Sequence, residues 1–279
     1  MVENILFVRT FLILGGMLIL TTIAARLNKA FETRLEFAFT VFGQFLFLVI
    51  IYVNADQFPS NLIACALFSI FIGWSLGPTI SYIGEGFKFR KYLKSKGIRT
   101  KSIKKEKSWW GAEEEKKTVY YYQSDPKDLF DAKSDVIQNL RSDFEKNILP
   151  HDRYNQEWQN IVFQTLMGIT MAIILTAGIN YLSDTDFGFL GPVLFILLIS
   201  LIVIGISNAY VFKSSRRRLS QSYFVVCIFT FFLIYDFNKL EKAIASGDTS
   251  WAVAVDIAVN IYLDIINLFI RLLEILASD

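Results

Sequence analysis

The 279-residue chain has few of the residues on which metal sites and disulfide frameworks depend. It contains one histidine, His151, and two cysteines, Cys65 and Cys227, which both lie in apolar segments. Because a zinc site usually needs about four nitrogen or sulfur ligands, a zinc centre of the usual kind is excluded. The cysteines are expected to pack as small hydrophobic residues, and they predict no disulfide framework.

The chain also lacks the motifs that mark common enzyme sites. It has no Walker motif, no Gly-x-Ser-x-Gly or His-Glu-x-x-His pattern and no dinucleotide-binding fingerprint. We therefore expect neither an enzyme nor a bound cofactor. The formal net charge is only +2, so the distribution of charge along the chain is more informative than its sum.

Apolar sequence is abundant instead. Hydrophobic residues form 53% of the chain, which is high for an ordinary soluble domain. Seven segments are long enough to cross about 30 Å of hydrocarbon. The pattern predicts an all-α, integral multi-pass membrane protein with the lipid bilayer as a partner, and the first segment is interpreted as a retained span rather than a signal peptide. The predicted segments are 4–26, 34–54, 60–83, 160–182, 188–211, 221–246 and 252–277.

A polar block, residues 85–159, separates the first three spans (1–84) from the last four (160–279) and is predicted to be a small α+β insertion. Residues 88–107 contain ten basic side chains and one acidic one. Such a cluster beside a membrane favours anionic lipid headgroups. The alternative is a solvated face that only sets the topology. Nucleic acid is not expected as a partner, because lipid is the nearer anion.

Two patterns predict the secondary structure of this block. Aromatic, β-prone runs at 108–111 and 118–122 flank a charged turn and predict a hairpin. Asp125 followed by Pro126 is typical of a helix N-terminus. The apolar positions after it favour an amphipathic helix, and they are Leu129, Val136, Leu140, Phe144 and Ile148.

Loop charges predict the orientation. The loop after the fifth segment carries Lys213 and the three arginines at 216–218, whereas the loop after the fourth carries Asp184 and Asp186 and no basic residue. By the positive-inside rule, the insertion and the loop after the fifth segment are cytoplasmic. The N-terminus is then outside and the C-terminus inside.

Two aspartates, Asp236 and Asp264, lie within the last two spans. A charged carboxylate at the membrane centre costs about 3 kcal/mol on insertion scales, so each aspartate indicates a functional site. The last span also carries polar residues at spacings of four, four, three, four and three, which is one helix face that must meet protein or water. This polar stripe consists of Asp256, Asn260, Asp264, Asn267, Arg271 and Glu274.

The turn between these spans relates the two aspartates. Ser246–Ser250 is a cluster of turn residues in which Gly247 is a natural helix end. In an antiparallel hairpin, Asp236 and Asp264 then lie at similar depth, each about 15 Å from a helix end. Two neighbouring carboxyl groups cannot both ionise comfortably, so they share one proton. The pair suits a pH sensor, a proton relay, a cation site or acid–base catalysis. The alternative is hydrogen bonding that only joins the helices.

Other polar residues have simpler interpretations. Lys239 and Lys242 can extend their ammonium groups to the membrane interface. For Asp256 a packing role is favoured, and Arg271 with Glu274 is expected to form an i,i+3 pair. Asn260 and Asn267 are candidates for an ion path because they share the stripe with Asp264.

The third and other spans contain further candidates. Gly77-Pro78 frees a backbone carbonyl inside a helix. That carbonyl either lines a path or reflects a packing feature. Gln44 and Asn208 are predicted to hydrogen-bond between helices.

These residues together resemble a known family. Ile234-Tyr235-Asp236, residues 261–269 and the Gly-x-x-Leu-Gly-Pro pattern at 73–78 closely resemble the transmembrane Bax inhibitor motif family, in its bacterial type. The resemblance implies a seven-helix bundle with a central seventh helix, in a bacterial plasma membrane. It also implies a pH-dependent calcium leak, with Asp236 and Asp264 as the proton-sensing pair that gates the pore and offers oxygen ligands to calcium.

Three departures accompany the resemblance, and one is that the large block between the third and fourth helices is not part of the family core. Bacterial-type members have an arginine on or after the second helix that is proposed to latch onto the aspartates, whereas nothing between Leu35 and Leu67 is basic here. Arg9 or Arg271 is the candidate replacement. The family is also usually drawn with a cytoplasmic N-terminus, opposite to the charge count, which we favour.

Two other function classes stay open. A non-transporting regulator of membrane-protein partners or of stress survival is the main alternative to a pH-sensitive calcium leak channel. An intramembrane aspartyl protease also needs two aspartates on neighbouring helices, but those enzymes have Gly-x-Gly-Asp where this chain has Ile261-Tyr262-Leu263-Asp264.

Overall fold

The computed structural model describes residues 5–104, 116–151, 153–183, 185–207 and 215–278. Within them, seven helices are long and apolar enough to cross a membrane, which confirms the predicted multi-pass architecture. The spans are α1 (Ile5–Leu27), α2 (Arg34–Val53), α3 (Ser60–Ser95), α5 (Asn155–Leu182), α6 (Leu190–Ser207), α7 (Ser215–Ala245) and α8 (Trp251–Ala277), and the insertion contributes the short helix α4 (Asp135–Asp143).

The last helix, α8, is the centre of the bundle. It packs against α1, α3, α5 and α7. In its apolar window 61% of the residues are buried, compared with 11–50% in the other six spans. The polar stripe explains this position, because polar side chains in a membrane helix require protein or water beside them. The central seventh span is therefore confirmed.

Close packing of α1 on α3 depends on two glycines one turn apart. A side-chain carbon added at Gly73 would lie 2.4 Å from the backbone oxygen of Thr21, and one at Gly77 would lie 1.9 Å from the backbone oxygen of Asn28. Neither distance leaves room for a methyl group, so only glycine permits this approach of the two backbones.

Pro78 lies inside α3 and has no N–H to donate to the carbonyl of Trp74, four residues earlier. The side-chain amide of Asn28, the residue that follows α1, donates to that oxygen at 2.8 Å. The freed carbonyl is thus satisfied between two helices, which favours the packing interpretation of Gly77-Pro78. The predicted interhelical role of Gln44 is confirmed, since its amide donates to the Phe71 carbonyl at 3.1 Å.

The third helix continues beyond its predicted end at residue 83. Its charged residues are good helix formers, and it stops only at Gly97, whose φ of +73° is left-handed. Part of the basic run therefore lies on this helix, where Lys91 pairs with Glu157 of α5 at 3.0 Å and Arg90 donates to the Ala277 carbonyl at 2.5 Å.

The insertion contains a three-stranded antiparallel sheet in the order β1 (Ile98–Lys104), β2 (Lys116–Tyr122) and β3 (Asp125–Asp131). The α+β character is confirmed, and the predicted strand at 118–122 is present as part of β2. Its partner is β1, with Ile98 opposite Tyr122. The predicted first strand at 108–111 lies outside the described residues.

The helix predicted after Asp125 is wrong. Asp125 and Pro126 begin the edge strand β3, where a proline is tolerated because one side of the strand needs no N–H donor. Helix α4 begins later, after Ser134, whose φ of −66° and ψ of 149° are those of an N-cap. The predicted apolar stripe is consequently divided between β3 and the helical segment.

Some of the residues on which the loop-charge prediction depends lie outside the described residues. Asp184, Lys213, Asn208 and residues 105–115 lie outside them. The arginines at 216–218 belong to the first turn of α7 rather than to a loop. Which face of the membrane meets the cytoplasm stays a prediction.

Candidate ion-path site between the last two helices

Helices α7 and α8 form the predicted antiparallel hairpin. Gly247 has the left-handed φ of +76° expected at a helix end. Ser250 caps α8 by accepting a hydrogen bond from the Val253 N–H at 3.3 Å. Local turn chemistry therefore sets the register in which the polar residues of the two helices meet.

The structure brings the two predicted aspartates together. The carboxyl groups of Asp236 on α7 and Asp264 on α8 lie at hydrogen-bonding distance from each other. The residues are 3% and 5% exposed, respectively. A hydrogen bond between two carboxyl groups requires a proton on one of them. The second carboxyl oxygen of Asp264, Oδ2, is buried without a partner.

Three polar contacts connect α7 and α8 along their length. Asp236 meets Asp264 in the middle. The ammonium of Lys239 binds Asp256 towards the hairpin turn. At the other end, the Ser222 hydroxyl donates to Glu274 Oε2 at 2.8 Å. We call this line of contacts the polar seam. The prediction that the stripe must face protein or water is confirmed, because much of it faces α7.

The seam reaches a cavity of about 280 Å³ at the end opposite the hairpin turn. This cavity lies between α4 of the insertion and the ends of α3, α7 and α8. Both residues of the last seam contact line it, together with Glu85, Arg90 and Arg141. The insertion therefore borders one end of the seam, and Arg141 connects it to Glu85 of α3 at 3.2 Å.

Both latch candidates lie away from the aspartate pair. Arg9 donates to the Thr249 carbonyl, and its guanidinium carbon is 4.4 Å from the centre of the Trp251 ring. This contact is at the hairpin turn, about 20 Å along α8 from Asp264 at 1.5 Å per residue. Arg271 donates to Glu274 at 2.8 Å, which confirms the i,i+3 pair.

Asn260 and Asn267 are the two asparagines of the polar stripe. Asn267 donates its side-chain amide to the Leu263 carbonyl of its own helix at 2.8 Å. Asn260 is half-buried one turn before Asp264. Both are therefore adjacent to the pair along α8, and their part in an ion path stays a prediction.

The two lysines of α7 behave differently from one another. Lys242 extends to the surface, as predicted, and binds Asp186 at 2.5 Å. Lys239 instead turns to α8 and binds Asp256, with side chains 39% and 31% exposed. The packing role favoured for Asp256 is thus an ion pair, which a stripe on one helix does not reveal because the partner is on another helix.

Sequence reasoning missed a buried hydroxyl contact beside the pair. The hydroxyl oxygens of Thr21 on α1 and Tyr262 on α8 are 2.5 Å apart. The other contacts of the Thr21 hydroxyl are the Met17 and Ser69 carbonyls, at 2.9 and 3.1 Å. Either hydroxyl can donate to the other, since the Tyr262 hydroxyl also hydrogen-bonds the Ser69 side chain. The sequence signal is a tyrosine two residues before the buried aspartate.

A second missed residue is Asn180 of α5. It is 4% exposed, and its amide donates to the Ile234 carbonyl of α7 at 3.0 Å. Its side-chain oxygen is buried without a partner. An asparagine in the fourth span was not singled out, because one polar residue in an apolar helix carries no pattern.

A resident metal centre has no support in the described part of the chain, where no three His, Cys, Asp or Glu side chains group closely enough to hold an ion. Calcium prefers about six to eight oxygen ligands. The two carboxyl groups of the pair supply fewer oxygen ligands than that.

Comparison with known proteins finds a family match over the last four spans, which include this hairpin. Residues 153–279 match the family described as "Inhibitor of apoptosis-promoting Bax1". A "Golgi anti-apoptotic protein" of Vaccinia virus (strain Lister) is 33% identical over 117 residues, or 42% of this chain and 47% of that protein. "Protein LIFEGUARD 4" of Arabidopsis thaliana is 37% identical over 90 residues, or 32% and 34% of the two chains.

A bacterial relative shows the same partial coverage. "Inner membrane protein YbhL" of Escherichia coli (strain K12) is 30% identical over 129 residues, or 42% of this chain and 55% of that protein. The chain thus spans about half or less of the length of the relatives it matches. The matches and the seven apolar helices identify an integral multi-pass membrane protein. Through residues 153–279, which contain the aspartate pair, the chain is similar to the Bax inhibitor family.

Proposed function

We propose that the protein is a cation leak pathway, with calcium as the preferred ion, and that protonation of the Asp236–Asp264 pair controls it. One observation carries the proposal: two deeply buried carboxyl groups touch each other on the central hairpin. A pair of this kind is costly in a membrane, and it lies at the contact between α7 and α8.

Proton control follows from the contact itself. With one shared proton, a hydrogen bond joins Asp236 to Asp264 and holds the two helices together. With both carboxyl groups ionised, two charges about 4 Å apart repel by about 4 kcal/mol at an effective dielectric constant of 20. That energy is large enough to shift a balance between closed and open states. Separated carboxylates also offer hard oxygen ligands, which calcium prefers.

The polar seam supports a route for the ion. It continues from the aspartate pair towards the hairpin turn through Asp256 and towards the insertion through Glu274. Each segment is about 12–15 Å long at 1.5 Å per residue.

Reconstitution tests the proposal. The full chain is placed in proteoliposomes, and calcium flux is measured against pH for the wild type, Asp236→Asn and Asp264→Asn. Asparagine keeps the shape of aspartate but cannot ionise, so each variant should lose the pH dependence of the flux. Asp186→Asn is the matched control, because that aspartate is exposed and lies off the seam. Unchanged flux and pH dependence in both pair variants would contradict the proposal.

The names of the relatives favour a second candidate, a non-transporting regulator of membrane proteins or of survival under stress. One relative is named as an anti-apoptotic protein of the Golgi. Under this alternative, the aspartate pair only joins α7 to α8. Co-purification of a stable membrane-protein partner, together with no calcium flux after reconstitution, would favour it.

Anionic lipid headgroups are a proposed partner of the basic run. Lys96, Arg99 and Lys101 are exposed at the end of α3 and along β1, whereas Lys91 is already paired within the bundle. Juxtamembrane basic residues attract anionic lipid by about 1 kcal/mol each. Replacing these three by glutamine should weaken binding of labelled phosphatidylserine to the detergent-solubilised protein.

A further inference from the structure

The hairpin side of the polar seam contains one cation among three carboxyl groups. Lys239 lies one turn after Asp236 on α7 and binds Asp256 on α8. Its ammonium also interacts electrostatically with Asp236, which in turn contacts Asp264. A single positive charge therefore serves two carboxylates that belong to different helices.

The inward position of this lysine is specific. Lys242, one turn further along α7, extends outwards to Asp186, and their side chains are 53% and 65% exposed. The Lys239–Asp256 pair is more buried, at 39% and 31%. A flexible four-carbon side chain could reach solvent from either position, yet only one of these two ammonium groups lies on the seam.

A positively charged side chain on a cation path repels a passing cation. Any ion that moves along the seam between the hairpin turn and Asp236 must pass the Lys239 ammonium, because Asp256 binds that group from the facing helix.

We propose that Lys239 is the gate at the hairpin end of the seam. Its ammonium is a tethered cation that Asp256 holds to one side and that can move onto Asp236. In either position it opposes the entry of a free cation, and on Asp236 it also occupies one carboxylate of the buried pair. This inference rests on the proposed cation leak and names the residue that sets its rate.

A purely structural role makes a different prediction. If the ion pair only tied α7 to α8, then removing either partner would break the same bond and change the leak in the same direction. If Lys239 is a gate, the two partners of the ion pair have opposite effects on the leak. Loss of Lys239 removes the tethered charge, whereas loss of Asp256 releases that charge onto Asp236.

The experiment measures calcium flux into proteoliposomes that contain the full chain, at one pH and one salt concentration. Lys239→Gln should raise the leak on the order of tenfold, and Asp256→Asn should lower it by a similar factor. Lys239→Arg keeps the charge and should leave the leak near the wild-type rate. The double variant lacks the ammonium, so it should leak like Lys239→Gln.

Lys242→Gln is the matched control, since it removes a paired lysine from the same helix without touching the seam. Its leak should equal that of the wild type. Size-exclusion chromatography establishes that each variant is folded. If Lys239→Gln does not fold, the comparison of Lys239→Arg with Asp256→Asn decides.

Two results would overturn the inference, and they are distinguishable. If Asp236→Asn alters the flux but Lys239→Gln and Asp256→Asn change it in the same direction or not at all, the gate is wrong while the leak stands. If the wild-type protein carries no flux, the proposed function fails and the gate fails with it.

Discussion

Tyr262 on the central helix shares a hydrogen bond with the hydroxyl of Thr21 on α1, with the two oxygens 2.5 Å apart and neither residue more than 2% exposed. The contact joins the helix that carries Asp264 to the first span, two residues from the aspartate. A buried hydroxyl that loses its partner in such a site has no water to replace it.

The Thr21–Tyr262 contact predicts that mutations of its two residues have non-additive effects on the free energy of unfolding. Thr21→Val removes one of the two side-chain partners of the Tyr262 hydroxyl, the other being Ser69, and should lower the free energy of unfolding by about 1–2 kcal/mol. The double variant Thr21→Val with Tyr262→Phe removes both partners and should cost less than the sum of the single variants. Thermal unfolding in detergent measures all three. Additive losses would show that the hydroxyls do not depend on each other.

The close packing at Gly77 should not tolerate a larger residue. Gly77→Ala would place a carbon 1.9 Å from the Asn28 backbone oxygen, and a backbone atom cannot move aside as a side chain can. We expect a loss of stability of about 3 kcal/mol, at the upper end of typical overpacking. The control is Gly16→Ala on α1, where nothing lies within 4 Å. That change should be neutral or slightly stabilising, since alanine favours helix.

Asn28 and Pro78 are expected to be coupled. Asn28→Ala leaves the Trp74 carbonyl without a donor, at a cost of about 1–2 kcal/mol. Pro78→Ala supplies a backbone N–H to the same carbonyl, so Asn28→Ala should cost less in that background. The coupling energy comes from a double-mutant cycle in thermal unfolding. A cost that is equal in both backgrounds would contradict the assignment.

Acid should weaken the docking of the insertion. The hydroxyl of Tyr92 and then the amide of Asn147 donate to Asp143 and hold the pKa of that carboxyl below its ordinary value. A lowered folded-state pKa means that the stabilisation is present above the unfolded value, near 3.9, and disappears as pH falls through the lower one.

The measurement is protease sensitivity of the insertion between about pH 2 and pH 6, a window that includes the ordinary carboxyl pKa. The protease must be active throughout this range. The insertion of the wild-type protein should then be cleaved faster at the acid end. Asp143→Asn cannot titrate and should show no such acid-dependent step. Asp128→Asn, on the exposed strand β3, is the control that should behave like wild type.

Features carried by local patterns were predictable. A run of apolar residues has to span the hydrocarbon whatever its neighbours are, so the seven spans follow from the chain itself. The stripe on the last span needs a partner because polar groups avoid lipid. Turn residues around Gly247 bend the chain back, and that places Asp236 against Asp264.

Elsewhere, contacts with a neighbouring strand or helix decided the structure against, or beyond, the local sequence signal. Asp125-Pro126 has the chemistry of a helix start, yet the neighbouring strand offers backbone partners opposite Tyr122, and those bonds exist only once the sheet forms. Spacing along one helix likewise cannot tell whether Lys239 extends to water or to α8, because both are within reach of its side chain.

By itself, then, the sequence determined the number of spans, the hairpin and the meeting of Asp236 with Asp264, since length, periodicity and turn chemistry are short-range properties. Only the tertiary structure decided that Lys239 binds Asp256, that Asn28 satisfies the carbonyl freed by Pro78, and that Arg9 lies at the hairpin turn. Each of those contacts joins different helices or the turns at their ends, and its energy depends on a relative position that no single helix specifies.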